Sequence, residues 1–372
     1  MKVLIAEFSS HWKVLENTYR LLEKNAKKIE TTLFINEQGT EKNLIPLLFK
    51  DAKKANWKIH KYHSSTYFMH LLLIGYKYDI INVSTGPEDP HYSNLLNTIF
   101  LYLCSIIYKN KIVLTIKNTR PYLRSSDGIK SFFLHLSIHN IKVITFETET
   151  LKNIFHSETK IPKTRLCASY DRYVDFNKLQ LPEYKPAQGV NSKYRIGLLG
   201  GVEEIRRDYR DIILALQNVS LDIRKKIEFV TLGNSNGGYS NPVLIEMTNL
   251  VDVDTTDGWI SVDEFDTRGA SCHLLISPLK PAMEYGTYKG SGTFGDAIYL
   301  KKKVIIPSHV DPFYEFEEIA FYYTDIESLT ELFSNLDDLV NVEIQDDFYN
   351  KFSSKAVFDS VRSVITKNGM VG

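Results

Sequence analysis

Between residues 285 and 307 the chain reads YGTYKGSGTFGDAIYLKKKVIIP. Small residues let a backbone come close to a bound group, and a helix starting near Ser291 to Gly295 would turn unpaired N–H groups towards an anion. Ser291, Gly292 and Thr293 are therefore candidates to hold a phosphate. Lys289 would add a point charge, and Asp296, one turn on, could accept hydrogen bonds from a sugar hydroxyl. A second segment has the same make-up. After YRIGLLG comes GVEEIRRDY, where Gly200 and Gly201 end a strand and Arg206 and Arg207 open a helix. Cations at a helix start oppose its dipole, so their presence there favours an anionic ligand such as a diphosphate. Each segment also reads as an ordinary glycine-rich or charged helix start.

The first half offers Glu88, Asp89 and His91 in STGPEDPHY, an acid and base cluster after a strand that equally suits a proline-rich turn. Other chemistry is poorly represented. The chain has no G-x-x-x-x-G-K-[ST]. DVD at 252–254 has a metal-binding D-x-D spacing, but it lies in what reads as an edge strand and turn, so no metal is expected. Cys104, Cys167 and Cys272 are too scattered for a disulfide framework or a zinc site.

Strand-like and helix-like stretches alternate along the chain, which predicts α/β architecture with parallel sheets covered by helices. Strands are expected at 2–8, 31–36, 58–62, 78–84, 111–117 and 142–147, then at 194–200, 227–233, 272–278 and 303–307. Helices are expected near 207–218 and 241–250, and a buried one at 94–108. LQLPEYKPAQGVNSKY interrupts the pattern. The expected domains are 1–180 on the acceptor side, a linker at 181–193, a nucleotide-sugar domain at 194–345, and a C-terminal helix within 346–372 returning to the first domain. In such sheets ligands sit beyond the carboxyl ends of the strands, so the loops after 200, 233, 278 and 307 should share one wall of a cleft.

Formal neutrality conceals an asymmetry. Residues 1–180 carry 26 Lys+Arg against 16 Asp+Glu, and the remainder 19 against 29. A basic first half suits an anionic membrane surface or an anionic substrate, and equally a lysine-rich solvated surface. FKDAKKANWKIHKYHSSTYF (49–68), its densest basic and aromatic stretch, also reads as an ordinary helix, turn and edge strand. The acidic second half disfavours nucleic acid. The short apolar start and the absence of a long apolar segment predict a cytoplasmic protein, peripheral at most to the inner face of a membrane.

The order strand, G-G loop, basic pair, helix, FVTLG, DGWIS, LLISP, KGSGTFGDAI and KKKVIIP resembles the C-terminal domain of GT-B glycosyltransferases, most closely the bacterial family 4 type of surface polysaccharide synthesis. The resemblance covers about 194–310 and is architectural over 1–180. It implies two Rossmann-like domains facing across a cleft and a nucleotide-diphosphate sugar, UDP- or GDP-linked, as co-substrate, with no other cofactor. Carried onto this chain, the diphosphate loop falls on Gly201, Arg206 and Arg207, and the ribose-binding acid on Asp296. The family's other acid falls on Tyr288 and is missing, while Lys289 beside it offers a cation. Lys117 or Asn118 stands where the family has a histidine, and Ser10 and His11 stand near its acceptor loop, with Glu88 on the same side.

The implied reaction is a metal-independent, retaining transfer of a hexose to a hydroxyl of a glycan or lipid-linked glycan. An inverting reaction would need Asp89 or His91 as base. The missing acid keeps open a non-catalytic GT-B partner subunit that binds a glycan or another transferase. A sugar-nucleotide 2-epimerase shares the fold but needs a histidine near the sugar, for which the second half offers His273 and His309.

Overall fold

The computed structural model describes residues 1–7, 30–36, 59–62, 67–84, 86, 94–123, 128–170 and 193–370. Ser10, His11, Glu88, Asp89 and His91 lie outside the described residues, as do most of the 49–68 segment and all of the 181–193 linker but its last residue. Two compact units emerge. Unit 1 comprises Met1–Tyr173, Tyr288–Gly290 and Lys351–Gly372, and unit 2 comprises Val174–Thr287 and Ser291–Asn350.

Unit 1 is built on a seven-stranded parallel sheet in the order β3-β2-β1-β4-β5-β6-β7. Its strands are β1 (Lys2–Glu7), β2 (Glu30–Asn36), β3 (Ile59–Tyr62), β4 (Ile80–Val83), β5 (Ile112–Ile116), β6 (Val143–Phe146) and β7 (Leu166–Ala168). Every residue of IVLTI and VITF is buried, as strands covered on both faces require. The connecting helices include α1 (Tyr67–Ile74), α2 (Leu95–Ile107), α3 (Ile129–Asn140) and α4 (Glu149–Thr159). Asn94 caps α2 through the Asn97 N–H at 2.7 Å. That helix is buried along one side only. Leu101 and Cys104 face the core, whereas Leu96 and Ile107 are 57% and 60% exposed.

Unit 2 has a six-stranded parallel sheet in the order β10-β9-β8-β11-β12-β13. Its strands are β8 (Tyr194–Leu199), β9 (Ile227–Leu232), β10 (Asp252–Asp254), β11 (Leu274–Ile276), β12 (Lys303–Pro307) and β13 (Ala320–Tyr323). The helices relevant to the site are α5 (Tyr209–Asn218), α6 (Pro242–Thr248), α7 (Val262–Ala270), α8 (Gly292–Leu300) and α9 (Ile326–Ser334). The Pro242 ring sits in the first turn of α6, where a missing N–H is harmless. A further helix, α10 (Ser354–Lys367), returns to unit 1 and packs on β7 and β6. The D-x-D of β10 is fully occupied by cations. Asp252 pairs with Lys193, and Asp254 pairs with Arg195 at 2.8 Å and Arg268 at 3.0 Å.

Candidate functional site

The carboxyl edge of the unit 2 sheet gathers the glycines and cations that the sequence separates. Leaving β8, the chain turns at Gly200 with a φ of +74°, a conformation costly for residues bearing a Cβ. Gly233, at the end of β9, lies so close to this turn that an added Cβ would stand 2.4 Å from the Gly200 carbonyl carbon and oxygen. Val202 then donates its N–H to the Asn234 carbonyl at 2.7 Å, joining the two strand-end loops.

The neighbouring arginines have different surroundings. Arg207 is 9% exposed and donates from Nε to the Leu199 carbonyl at 3.0 Å and from a terminal nitrogen to Glu203 at 3.1 Å. Its guanidinium also fills the space a side chain at Gly200 would need, 2.0 Å from the position of that Cβ. Arg206 is exposed and donates from Nε to Glu203 at 2.6 Å. Burial opposes ionisation of Glu203, but hydrogen bonds from Arg206 and the charges of both arginines outweigh it and hold the carboxyl below its usual range. Arg206 therefore presents its cation at the surface, and Arg207 braces the turn beneath it.

The loop after β11 meets this segment directly. Asp208 donates its N–H to the Pro278 carbonyl at 2.7 Å, and Lys280 donates to the Arg206 carbonyl at 2.9 Å. Ser277, fully buried at the end of β11, accepts from the Thr293 hydroxyl at 3.0 Å. Thr293 in turn accepts from the Ser291 hydroxyl at 2.9 Å. Ser291 caps α8 by accepting from the Thr293 N–H. Gly292 is exposed, and nothing lies within 4 Å of where its Cβ would be. Asp296 lies half-buried in the second turn of α8. Gly201, Arg206, Arg207, Ser291, Gly292 and Thr293 thus belong to hydrogen-bonded loops on two adjacent strand ends, with an open helix start among them.

The two histidines of this unit part company. His273 precedes β11 at its amino edge and accepts from the Arg195 N–H at 3.0 Å, away from the carboxyl-end loops. His309 follows β12 at the carboxyl edge, and its buried Nε2 has no hydrogen-bond partner among the described residues. Burial lowers its pKa against the opposing effect of a backbone hydrogen bond at Leu279, favouring neutral imidazole.

Lys289 belongs to unit 1, where Tyr288–Gly290 lies along the end of β5. Its backbone forms an antiparallel bridge with Asn118, flanked by Thr119 N–H to Tyr288 carbonyl at 2.7 Å and Gly290 N–H to Lys117 carbonyl at 3.0 Å. Arg120 covers the Tyr288 ring at 5.0 Å. Lys117 pairs with Glu147 at 3.3 Å, both side chains being largely buried. Sequence reasoning passed over Glu147, although an acid ending the apolar run KVITFE was a visible signal. Gly290 presses on this carboxylate, 1.5 Å separating its Oε2 from an added Cβ. Glu147→Gln should remove the carboxylate charge beside the Lys117 ammonium and cost about 2 kcal/mol of stability, less than for a fully buried pair because the lysine keeps some solvent contact. Urea unfolding of the variant beside wild type measures it.

No family model matches the sequence, and no curated protein matches it at a significant level. Among solved structures, the chain is similar to the UDP-GlcNAc 2-epimerase of Neisseria meningitidis bound to UDP-GlcNAc, with a TM-score of 0.61 and 16% identity, covering 99% of this chain and 100% of that one. It is similar to HepE of Anabaena in complex with UDP, with a TM-score of 0.64, 12% identity and coverage of 99% and 100%. It is also similar to MurG of Acinetobacter baumannii, with a TM-score of 0.51, 10% identity and coverage of 100% and 99%. At these identities the likeness shows the fold, α/β of the GT-B type with two Rossmann-like parallel-sheet units, and does not single out family 4 transferases.

Proposed function

We propose that the chain is an enzyme that binds a nucleotide-diphosphate sugar at the start of α8 and transfers the sugar to a hydroxyl of a glycan or lipid-linked glycan. The carrying observation is the open Gly292 position on a capped helix start, beside the Gly200–Gly201 turn and the exposed Arg206. In transfer the anomeric carbon gains positive charge while the leaving diphosphate gains negative charge. Amides at the start of α8 and the Arg206 guanidinium are suited to stabilise that leaving group. Asp296 would accept from the ribose. Retention of configuration would need no dedicated base. The basic first half supports an anionic lipid surface as the place where the acceptor is met, although no helix among the described residues is long and apolar enough to cross a membrane.

Gly292→Asp tests the binding site with opposite signs in two measurements. A carboxylate in the first helical turn favours the helix dipole and meets no neighbour, so the melting temperature of the free protein should stay level or rise. The same charge repels a diphosphate. Calorimetric titration with UDP and GDP should show binding of one of them to wild type, weakened at least tenfold in the variant. Equal nucleotide affinity in both proteins would remove α8 from the site.

A second reading, 2-epimerisation of the sugar nucleotide, is favoured by the likeness to the Neisseria epimerase and by the carboxyl-edge placement of neutral His309. Incubation of UDP-GlcNAc with the protein and no acceptor separates the two. A C2-inverted sugar nucleotide supports epimerisation, whereas UDP release that depends on an acceptor supports transfer.

A further inference from the structure

On α3, His135 and His139 stand one turn apart, with their Nε2 atoms 3.2 Å apart and ring centroids at 4.7 Å. Residues four apart share a helix face, but imidazole edges converge only when the rings are held in suitable rotamers. Here one ring is fixed from behind. His135 Nδ1 lies 3.0 Å from the Tyr122 carbonyl, which can only accept, so Nδ1 carries the proton and Nε2 presents a bare lone pair. The contact between the rings is then a hydrogen bond from His139 Nε2–H to His135 Nε2.

We infer that His135 and His139 form a two-ligand surface site for a borderline-soft divalent transition-metal ion such as Zn²⁺, bound through both Nε2 atoms, with water in the remaining positions. Bonds of about 2.0–2.1 Å at a tetrahedral angle place two nitrogens about 3.3 Å apart, close to the separation already present. The ion takes the place of the shared proton. That proton moves through solvent to His139 Nδ1, so both imidazoles stay neutral and the exchange balances. The Tyr122 carbonyl supplies the outer partner that metal-bound histidines characteristically have.

The end of the helix favours a cation. His139 lies in the last turn of α3, where the carbonyl ends of the helix attract positive charge. Arg165 is nearby and its positive charge opposes a second cation, although its guanidinium is held in place by the carbonyls of Ile138 at 2.6 Å, His139 at 3.3 Å and Ile141. Among the described residues no cluster of three or more His, Cys, Asp or Glu could hold a metal, so the bound ion would keep exchangeable water.

The test is calorimetric titration of the full chain with ZnCl2, repeated with His139→Ala and His135→Gln and with MgCl2. Wild type should show a zinc-binding event weakened at least tenfold in each variant, and magnesium, which prefers oxygen ligands, should produce none. His139 is exposed, so its variant should melt as the ion-free wild type does. If His135→Gln fails to fold, His139→Ala decides alone. Absence of zinc binding by wild type, or unchanged zinc affinity in His139→Ala, overturns the site.

Discussion

Gly233→Ala should be among the most damaging single-methyl additions in this protein, lowering stability by about 3 kcal/mol, the upper part of the usual range for overpacking. The reason is the nature of the neighbours. The new Cβ would meet the Gly200 carbonyl carbon and oxygen at 2.4 Å and the Gly201 nitrogen at 2.9 Å, all backbone atoms that no rotamer change can move. Relief requires the β8 and β9 ends to separate, which breaks the Val202 to Asn234 hydrogen bond and displaces the turn carrying Arg206. Stability in urea and affinity for whichever of UDP and GDP the wild type binds should therefore fall together. A stable variant with wild-type nucleotide affinity would show that this close approach is not needed. Gly292→Ala is the contrasting control, because its methyl enters open space.

Arg207→Ala should cost a similar amount, about 3 kcal/mol, through loss of charge rather than excess volume. The deletion strips the Leu199 carbonyl of its side-chain donor and leaves Glu203 with Arg206 as its remaining hydrogen-bonded cation. It also opens a void beside Gly200, whose positive φ is braced by the guanidinium. Arg206→Ala should behave differently. It removes an exposed group, costing stability no more than about 1 kcal/mol, and should weaken nucleotide affinity directly. Parallel unfolding and calorimetry on the two variants separate brace from ligand contact. Equal stability losses would refute the division of roles.

That division was not legible from the RR pair itself. Adjacent residues of one type carry no sign of which points inwards, and the decisive partners, Leu199 and Glu203, become neighbours only when the turn closes. Lys289 shows the same limit on a larger scale. It is two residues from Ser291, yet its backbone pairs in unit 1. The D-x-D of β10 suggested a metal spacing because Arg195 and Arg268 are remote in sequence.

Other elements were readable because one physical signal dominated. Continuous apolar runs such as KIVLTIK and IEFVTLG can be accommodated only by strands covered on both faces, and β5 and β9 follow them closely. Small residues before an apolar stretch placed the start of α8 at its serine cap. The edge strands β7 and β13 escaped notice, being three and four residues long with polar flanks. The exposed side of α2 was missed because an apolar helix advertises burial on every face until its packing partners are known.

The discontinuous make-up of unit 1 also bears on how the chain acquires its structure during synthesis. Its sheet is complete by Ala168, but α10, which packs on β7 and β6, begins only at Ser354, after the whole of unit 2. A nascent chain leaving the ribosome amino end first can therefore finish the second unit while the first still lacks a helix against two of its strands. Folding would then close in the reverse of translation order, with the apolar side of β6 and β7 awaiting cover throughout the interval, when a chaperone would have most to protect.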